Sequence, residues 1–235
     1  MLYFWIGLLL VVVIIFCKVF GNLSSNRRAH NLGEDGEKLI VEGLKQLRGG
    51  KIRILQNIYL PKNKNGDTTE IDIVMIRNSG IYVIESKNYS GWIFGSGEGS
   101  TWTQCLGGGK NIHRYYFQNP VYQNKLHIRC IKEYLNLKNV PVYSIIVFSE
   151  RCRLQKVEVS KKDAYVIKLS AVVDLMKKLH NRNKKRLTTR QVNAFYKQLV
   201  PKTHVSRAVK RKHIAKIKKS KREKEKKAKQ KLKKR

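Results

Sequence analysis

Asp72, Glu85 and Lys87 are the residues in this sequence whose types and spacing could do chemistry. Asp72 stands amid Ile71, Ile73 and Val74, and Glu85 closes the apolar run Ile81-Tyr82-Val83-Ile84. Side chains two apart on a strand share a face, so Glu85 and Lys87 point the same way as Ile81 and Val83. Charges at the rim of a core are costly unless they pair or bind a metal. Two carboxylates can hold Mg2+ or Mn2+ through hard oxygen ligands while leaving waters in place. A metal so held would activate water and neutralise charge growing on a phosphate, with a lysine orienting the nucleophile or stabilising the transition state. Glu37, on a preceding helix, is the candidate for a third carboxylate. The same residues also fit a solvated hairpin edge with a Glu–Lys pair, and spacing alone leaves both readings open.

Hydrophobic periodicity supplies the elements that must position these groups. Gly33-Glu34-Asp35-Gly36-Glu37 opens a helix to about Arg48, with Leu39, Ile40, Leu44 and Leu47 at helical spacing. Strands are expected near Ile52–Leu60 and over Glu70–Ile76 and Ile81–Lys87, the last two joined by a tight turn at Asn78-Ser79-Gly80. That turn nearly equalises the two arms and brings Asp72 close to Glu85. Gly91 to Gly109 is glycine-rich, with Trp92 and Trp102 in short strand-like pieces. Pro120 introduces a helix from about Val121 to Leu137. Val142–Phe148 and Ala164–Leu169 read as strands, and Ser170–Asn181 and Thr188–Val200 as helices. Alternating helices and strands imply an α/β or α+β sheet domain over residues 32–200.

Residues 33–137 resemble the NERD (nuclease-related) domain, a branch of the PD-(D/E)xK nuclease superfamily. The matching pieces are Gly33-Glu34-Asp35-Gly36-Glu37, Glu70-Ile71-Asp72, Gly80 through Gly91, Trp102, and Asn119-Pro120-Val121-Tyr122-Gln123, in the expected order. The resemblance implies an α/β, restriction-endonuclease-like core sheet flanked by helices. It implies metal binding at Asp72 and Glu85, a catalytic Lys87, a helix-borne acid at Glu37 and an accompanying helical glutamine at Gln123. Ile71 stands where the superfamily name has proline, a position loosely kept across that superfamily.

The formal net charge is +34, which favours a polyanionic partner, nucleic acid or an anionic lipid surface. Leu2–Phe20 is apolar apart from Lys18, and about 19 residues at 1.5 Å rise reach roughly 28 Å, close to a bilayer core. A cleaved signal peptide fits poorly, because no basic residue precedes the run and Phe16-Cys17-Lys18-Val19-Phe20 is too bulky for a cleavage site. Residues 1–21 therefore read as an N-terminal transmembrane helix and 22–31 as a linker. Lys18, Arg27 and Arg28 follow the span, so the positive-inside rule places the C-terminal domain in the cytoplasm of a single-pass cell-membrane protein.

Residues 201–235 form a basic tail that carries about +16 of the total and is expected to be disordered or marginally helical. It could neutralise phosphates of DNA or RNA, or lie on anionic lipid beside the anchor. The four cysteines lack framework or zinc-finger spacing and read as reduced thiols. His30, His113 and His127 are not at metal-ligand spacing and read as structural or surface residues, with His127 able to support the site from the position four after Gln123. Gly107-Gly108-Gly109 lacks a following Gly-Lys-Ser/Thr and reads as a hairpin tip. Trp92, Trp102 and Tyr115-Tyr116-Phe117 could stack on bases, but core packing is the favoured reading. Two function classes follow: a membrane-anchored, metal-dependent nuclease, DNA being the favoured substrate, or a non-catalytic tethered protein that binds nucleic acid or anionic lipid.

Overall fold

The computed structural model describes residues 33, 35–63, 66–109, 111–183 and 186–233. The expected span and linker, residues 1–31, lie outside the described residues. Among the described residues no helix is long and apolar enough to cross a membrane.

The chain opens with helix α1 (residues 35–45), then strands β1 (Ile52–Pro61), β2 (Thr68–Arg77) and β3 (Gly80–Lys87). β4 (Gly91–Ser96), β5 (Thr101–Leu106), β6 (His113–Gln118) and helix α2 (Pro120–Tyr134) follow. β7 (Val142–Phe148), β8 (Cys152–Glu158) and β9 (Tyr165–Lys168) come next. The chain continues through α3 (Val172–Arg182), α4 (Thr189–Leu199) and α5 (Arg207–Lys233).

The first sheet has strand order β1-β2-β3-β7-β9. β1, β2 and β3 pair antiparallel, whereas β7 joins β3 and β9 joins β7 in parallel. Apolar side chains occupy both faces of β2 and β3, as a doubly covered sheet demands. Ile73, Met75, Tyr82 and Ile84 pack under Ile40 and Leu44 of α1 and Met176 and Leu179 of α3. Val74, Ile76, Ile81 and Val83 face Cys130 and Ile131 of α2 and Val192 and Leu199 of α4. Gly80 closes the β2–β3 turn at φ 136°, where a Cβ would stand 2.5 Å from the Pro141 carbonyl oxygen.

The second sheet has order β6-β5-β4-β8, antiparallel except for the β4–β8 pair. Its inner face sets Ile93 and Trp102 against Val121, Ile146 and Phe148. Trp102 lies parallel to Phe148 with centroids 5.9 Å apart. Gly95 makes that possible, since a Cβ there would sit 2.2 Å from the Trp102 ring.

The elements depart from the sequence-based expectations at several points. Leu39 is half exposed, and Val41 takes its expected place in the core. β6 and β8 were not expected as strands: their side chains are mostly exposed, so hydrophobic alternation is missing. Trp92, Tyr115 and Tyr116 are exposed, while Trp102 is buried, so the core reading holds for Trp102 and fails for those three. Of the two expectations for the tail, the helical one describes Arg207–Lys233. Lys, Arg, Glu, Gln and Ala are strong helix formers, and no Gly or Pro interrupts that stretch. Cys105, Cys130 and Cys152 are free thiols.

Candidate active site

The β2–β3 ladder stops short of the chemistry. Its last pair is Ile73–Ile84, yet β3 runs on to Lys87, paired with β7 as far as Phe148. Past Ile84 the place of a β2 backbone acceptor is taken by a side chain: Asp72 Oδ2 accepts a hydrogen bond from the Ser86 amide at 2.8 Å. Across on β1, Asn57 has a φ of 54° and lies between the paired residues Gln56–Ile73 and Ile58–Ile71. Leu55 before it and Ile58 and Leu60 after it all join the same core cluster, so the alternation of side chains breaks there. Ile71 and Val74 likewise share that cluster on either side of Asp72. The irregularity keeps apolar residues in the core on both sides while freeing Asp72 to turn toward β3.

Glu85 is 1% exposed. Lys87 Nζ donates to Glu85 Oε1 at 2.5 Å and to Gln123 Oε1 at 3.1 Å. The second Glu85 oxygen, Oε2, is buried and has no hydrogen-bond partner. His127 Nδ1, 3.4 Å from it, is also buried without a hydrogen bond. Burial holds the His127 imidazole below its ordinary range despite the nearby Glu85, so the neutral ring faces the carboxylate.

Helix α2 is fixed in place by two buried asparagines. Asn119 caps the helix, its Oδ1 accepting from the Val121 amide at 2.8 Å. Its Nδ2 donates to the carbonyls of Ser96 and Gly99 in the β4–β5 turn. One turn into the helix, Asn124 Nδ2 donates to the Val83 carbonyl and to Ser144 Oγ, both at 3.0 Å. That amide bridges β3 and β7 and sets Gln123 and His127, four apart on one face, over the end of β3.

Glu37 comes to the site on the first turn of α1. Gly36 is buried, and a Cβ on it would stand 3.2 Å from Asn88 Cβ and 3.3 Å from Ser86 Oγ, so glycine lets α1 lie close on the end of β3. Burial, and then the charge of Glu85, pushes the Asp72 carboxyl well above its usual range, with Glu37 adding to the push and Lys87 opposing it. Burial alone would lower the Lys87 ammonium, but Glu85 and Asp72 outweigh it and hold the group above its ordinary value. Asp72, Glu85, Lys87, Gln123 and Glu37 are thus brought into one neighbourhood.

Helix α5 docks beside this neighbourhood. His213 Nδ1 lies 3.2 Å from Thr68 Oγ1, and its ring meets Tyr59 edge-on at 5.6 Å. Tyr59 donates to Glu70 at 2.5 Å, and Lys216 pairs with Asp67. Glu70 is two residues from Asp72, so a strongly basic helix is tied to the strand that carries the candidate ligand.

Among the described residues no group of three or more His, Cys, Asp and Glu stands at metal-holding geometry. Mg2+ needs less than that, because it keeps several waters and is commonly held by one or two carboxylates plus a substrate phosphate. Asp72 and Glu85 are carboxylates of that kind, and Glu85 Oε2 accepts no hydrogen bond.

A family model described as nuclease-related domain (NERD) matches residues 32–149. The chain belongs to the NERD family. An uncharacterized protein of Bacillus anthracis is 33% identical over 182 residues, covering 77% of this chain and 82% of that relative. No solved structure matches. NERD is a PD-(D/E)xK-like nuclease domain, and the matched residues run from α1 through β7.

Sequence reasoning missed Asn124, while His127 stands buried beside Glu85, in keeping with a structural residue near the site. Their signal was the run Gln123-Asn124-Lys125 with His127 inside an otherwise apolar helix pattern. It could be read only once both α2 and the end of β3 were known to share a buried face.

Proposed function

We propose that this NERD protein is a membrane-anchored, divalent-metal-dependent hydrolase of nucleic-acid phosphodiester bonds, with DNA as the principal substrate. The supporting observation is Glu85 Oε2: a buried carboxylate oxygen without a hydrogen bond, beside Asp72, with its twin oxygen held by Lys87. Burial and the Glu85 charge push the Asp72 carboxyl well above its usual range, and a small cation placed between the two groups would relieve that repulsion. Asp72 and Glu85 hold Mg2+ or Mn2+. When bound, such an ion supplies an activated water and offsets charge on the phosphate. The antiparallel arm leading into a parallel strand fits the restriction-endonuclease-like core that the superfamily implies.

Lys87 keeps a fixed positive charge where the phosphate arrives, oriented by Glu85 and Gln123. Glu37 adds negative potential from α1 and positions water on that side. His127 backs Glu85 as a neutral ring. α5 brings 15 Lys and Arg within Arg207–Lys233 against two acids, which attracts phosphates and gives salt-sensitive binding. Leu2–Phe20 anchors the chain in the cell membrane with the NERD domain in the cytoplasm, where the same basic tail also touches anionic lipid.

The test is cleavage of plasmid DNA, linear DNA and RNA by the detergent-purified full chain with Mg2+, Mn2+ or a chelator. Metal-dependent cleavage that disappears in Asp72→Ala and in Lys87→Ala is expected. Equal cutting by those variants, or by the parent in chelator, would overturn the assignment. Tight metal-independent binding without turnover would favour the non-catalytic alternative.

A further inference from the structure

We propose that the outer face of the second sheet is a stacking platform for single-stranded nucleic acid. The strand register builds it in two transverse rows. One row runs Arg114, Cys105, Trp92 and Arg153 across β6, β5, β4 and β8. The next runs Tyr116, Thr103, Phe94 and Lys156 across the same strands. The inner face is accounted for by Ile93, Trp102, Leu154 and Val157, so these two rows point away from the core. Trp92 is 44% exposed and Tyr116 72%. Rings at such exposure contribute little to folding.

The arrangement of types selects the partner. Aromatic rings occupy β4 and β6, while Arg114, Arg153 and Lys156 stand on the two edge strands. Trp92 and Phe94 are two apart on one strand, roughly 6.8 Å in separation, within the reach of successive bases of an extended strand. Bases would lie on the rings and the phosphates would run to the basic edges. One acid, Glu158, lies at the end of the face, where it pairs with Lys156 at 3.7 Å. A bilayer surface would call for exposed Leu or Ile among the rings, and the two rows hold none. The small side chain of Thr103 between Tyr116 and Phe94, and of Cys105 beside Trp92, leaves room for flat bases.

This surface rests on the proposed function for the class of polymer but not for its chemistry, and it binds without metal. β4, which carries Trp92 and Phe94, begins at Gly91, four residues after Lys87. A nuclease with such a platform takes single-stranded or unpaired ends rather than intact duplex.

The test is titration of labelled oligothymidylate, of a duplex of equal length, and of phosphatidylserine vesicles with the detergent-purified full chain. Chelator is present, and salt is raised to weaken the contribution of α5. Oligothymidylate should quench tryptophan fluorescence in the parent, and Trp92→Phe should remove that quenching. Trp92→Ala with Tyr116→Ala should weaken oligothymidylate binding about tenfold or more and leave duplex binding within about twofold. Trp92→Phe, which keeps a ring, should restore most of the affinity. Tyr116→Ala alone, at the most exposed position, provides the same test if the double variant misfolds. Equal loss for oligothymidylate and duplex, or no loss for either, overturns the platform. Loss confined to vesicle binding overturns it too and makes the face a membrane contact. Because no step requires cleavage, an inactive enzyme that still passes this test refutes only the proposed function.

Discussion

Lys87→Met should unfold the protein more readily than any exposed lysine substitution, and the reason is Glu85. That carboxylate is 1% exposed, and its cationic partner is Lys87 at 2.5 Å. Burial holds the His127 imidazole below its ordinary range, so the neighbouring ring is a weak substitute for the lost ammonium. Removing one partner of a buried ion pair costs about 3–5 kcal/mol, because the other charge is left without compensation. For a domain of this size about 2–4 °C accompanies each kcal/mol, so melting should fall by roughly 6–20 °C. Glu85→Gln should cost less, about 1–2 kcal/mol, because Lys87 is 14% exposed and its stem can swing the ammonium toward water. The double variant should recover much of the loss, giving a coupling of about 2 kcal/mol or more. Thermal or urea unfolding of all four proteins in chelator measures this cycle. Mn2+ should then rescue Lys87→Met in part, by supplying positive charge at the carboxylates, and should not rescue the double variant. A Lys87→Met protein within about 1 kcal/mol of the parent, or strictly additive single variants, would refute the electrostatic picture of the site.

Three further outcomes are expected. Saturating Mg2+ or Mn2+ should raise the melting temperature of the parent by mass action, and Asp72→Asn should abolish that rise, as differential scanning calorimetry would show. Gly95→Ala should lower stability by about 1–3 kcal/mol, because the added methyl would lie 2.2 Å from the buried Trp102 ring; an unchanged urea midpoint would contradict the packing. Burial, then Arg77 and Arg186, hold the His180 imidazole below its ordinary range. The unfolded chain therefore binds more protons, so stability should rise with pH up to the ordinary histidine value and fall as the folded ring is forced to charge; urea midpoints from about pH 5 to 7 should climb less steeply in His180→Asn.

The β2–β3 hairpin could be read from sequence because two apolar runs flank a turn that only Gly80 can close. The same apolar runs disclosed the core, since strands buried on both faces have no polar alternation to obscure them. The second sheet could not be read in that way. β6 and β8 leave most of their side chains in water, and what holds them is pairing to β5 and β4, a contact set by distant sequence. The docking of α5 was hidden for a different reason. Its composition cannot bury a core, and its position depends on His213 and Lys216 meeting Thr68, Tyr59 and Asp67 some 145 residues earlier.

The site shows the same division between local and non-local information. Asp72, Glu85 and Lys87 announce themselves as charges in apolar strands, where their desolvation needs an explanation that sequence can pose. How they are held apart from one another is a property of the splayed ladder, of Asn57 at positive φ, and of an amide bridge from Asn124 to β3 and β7. None of those has a distinctive spacing. Yet the splay is what exposes the Ser86 amide to Asp72, and without that hydrogen bond the two carboxylates would repel with nothing to fix their distance. The proposed cation site does not satisfy its own charges fully, since Glu85 Oε2 accepts no hydrogen bond. It must instead be held rigid by neutral groups around it, and Asn119, Asn124 and Gln123 are the neutral groups that α2 supplies.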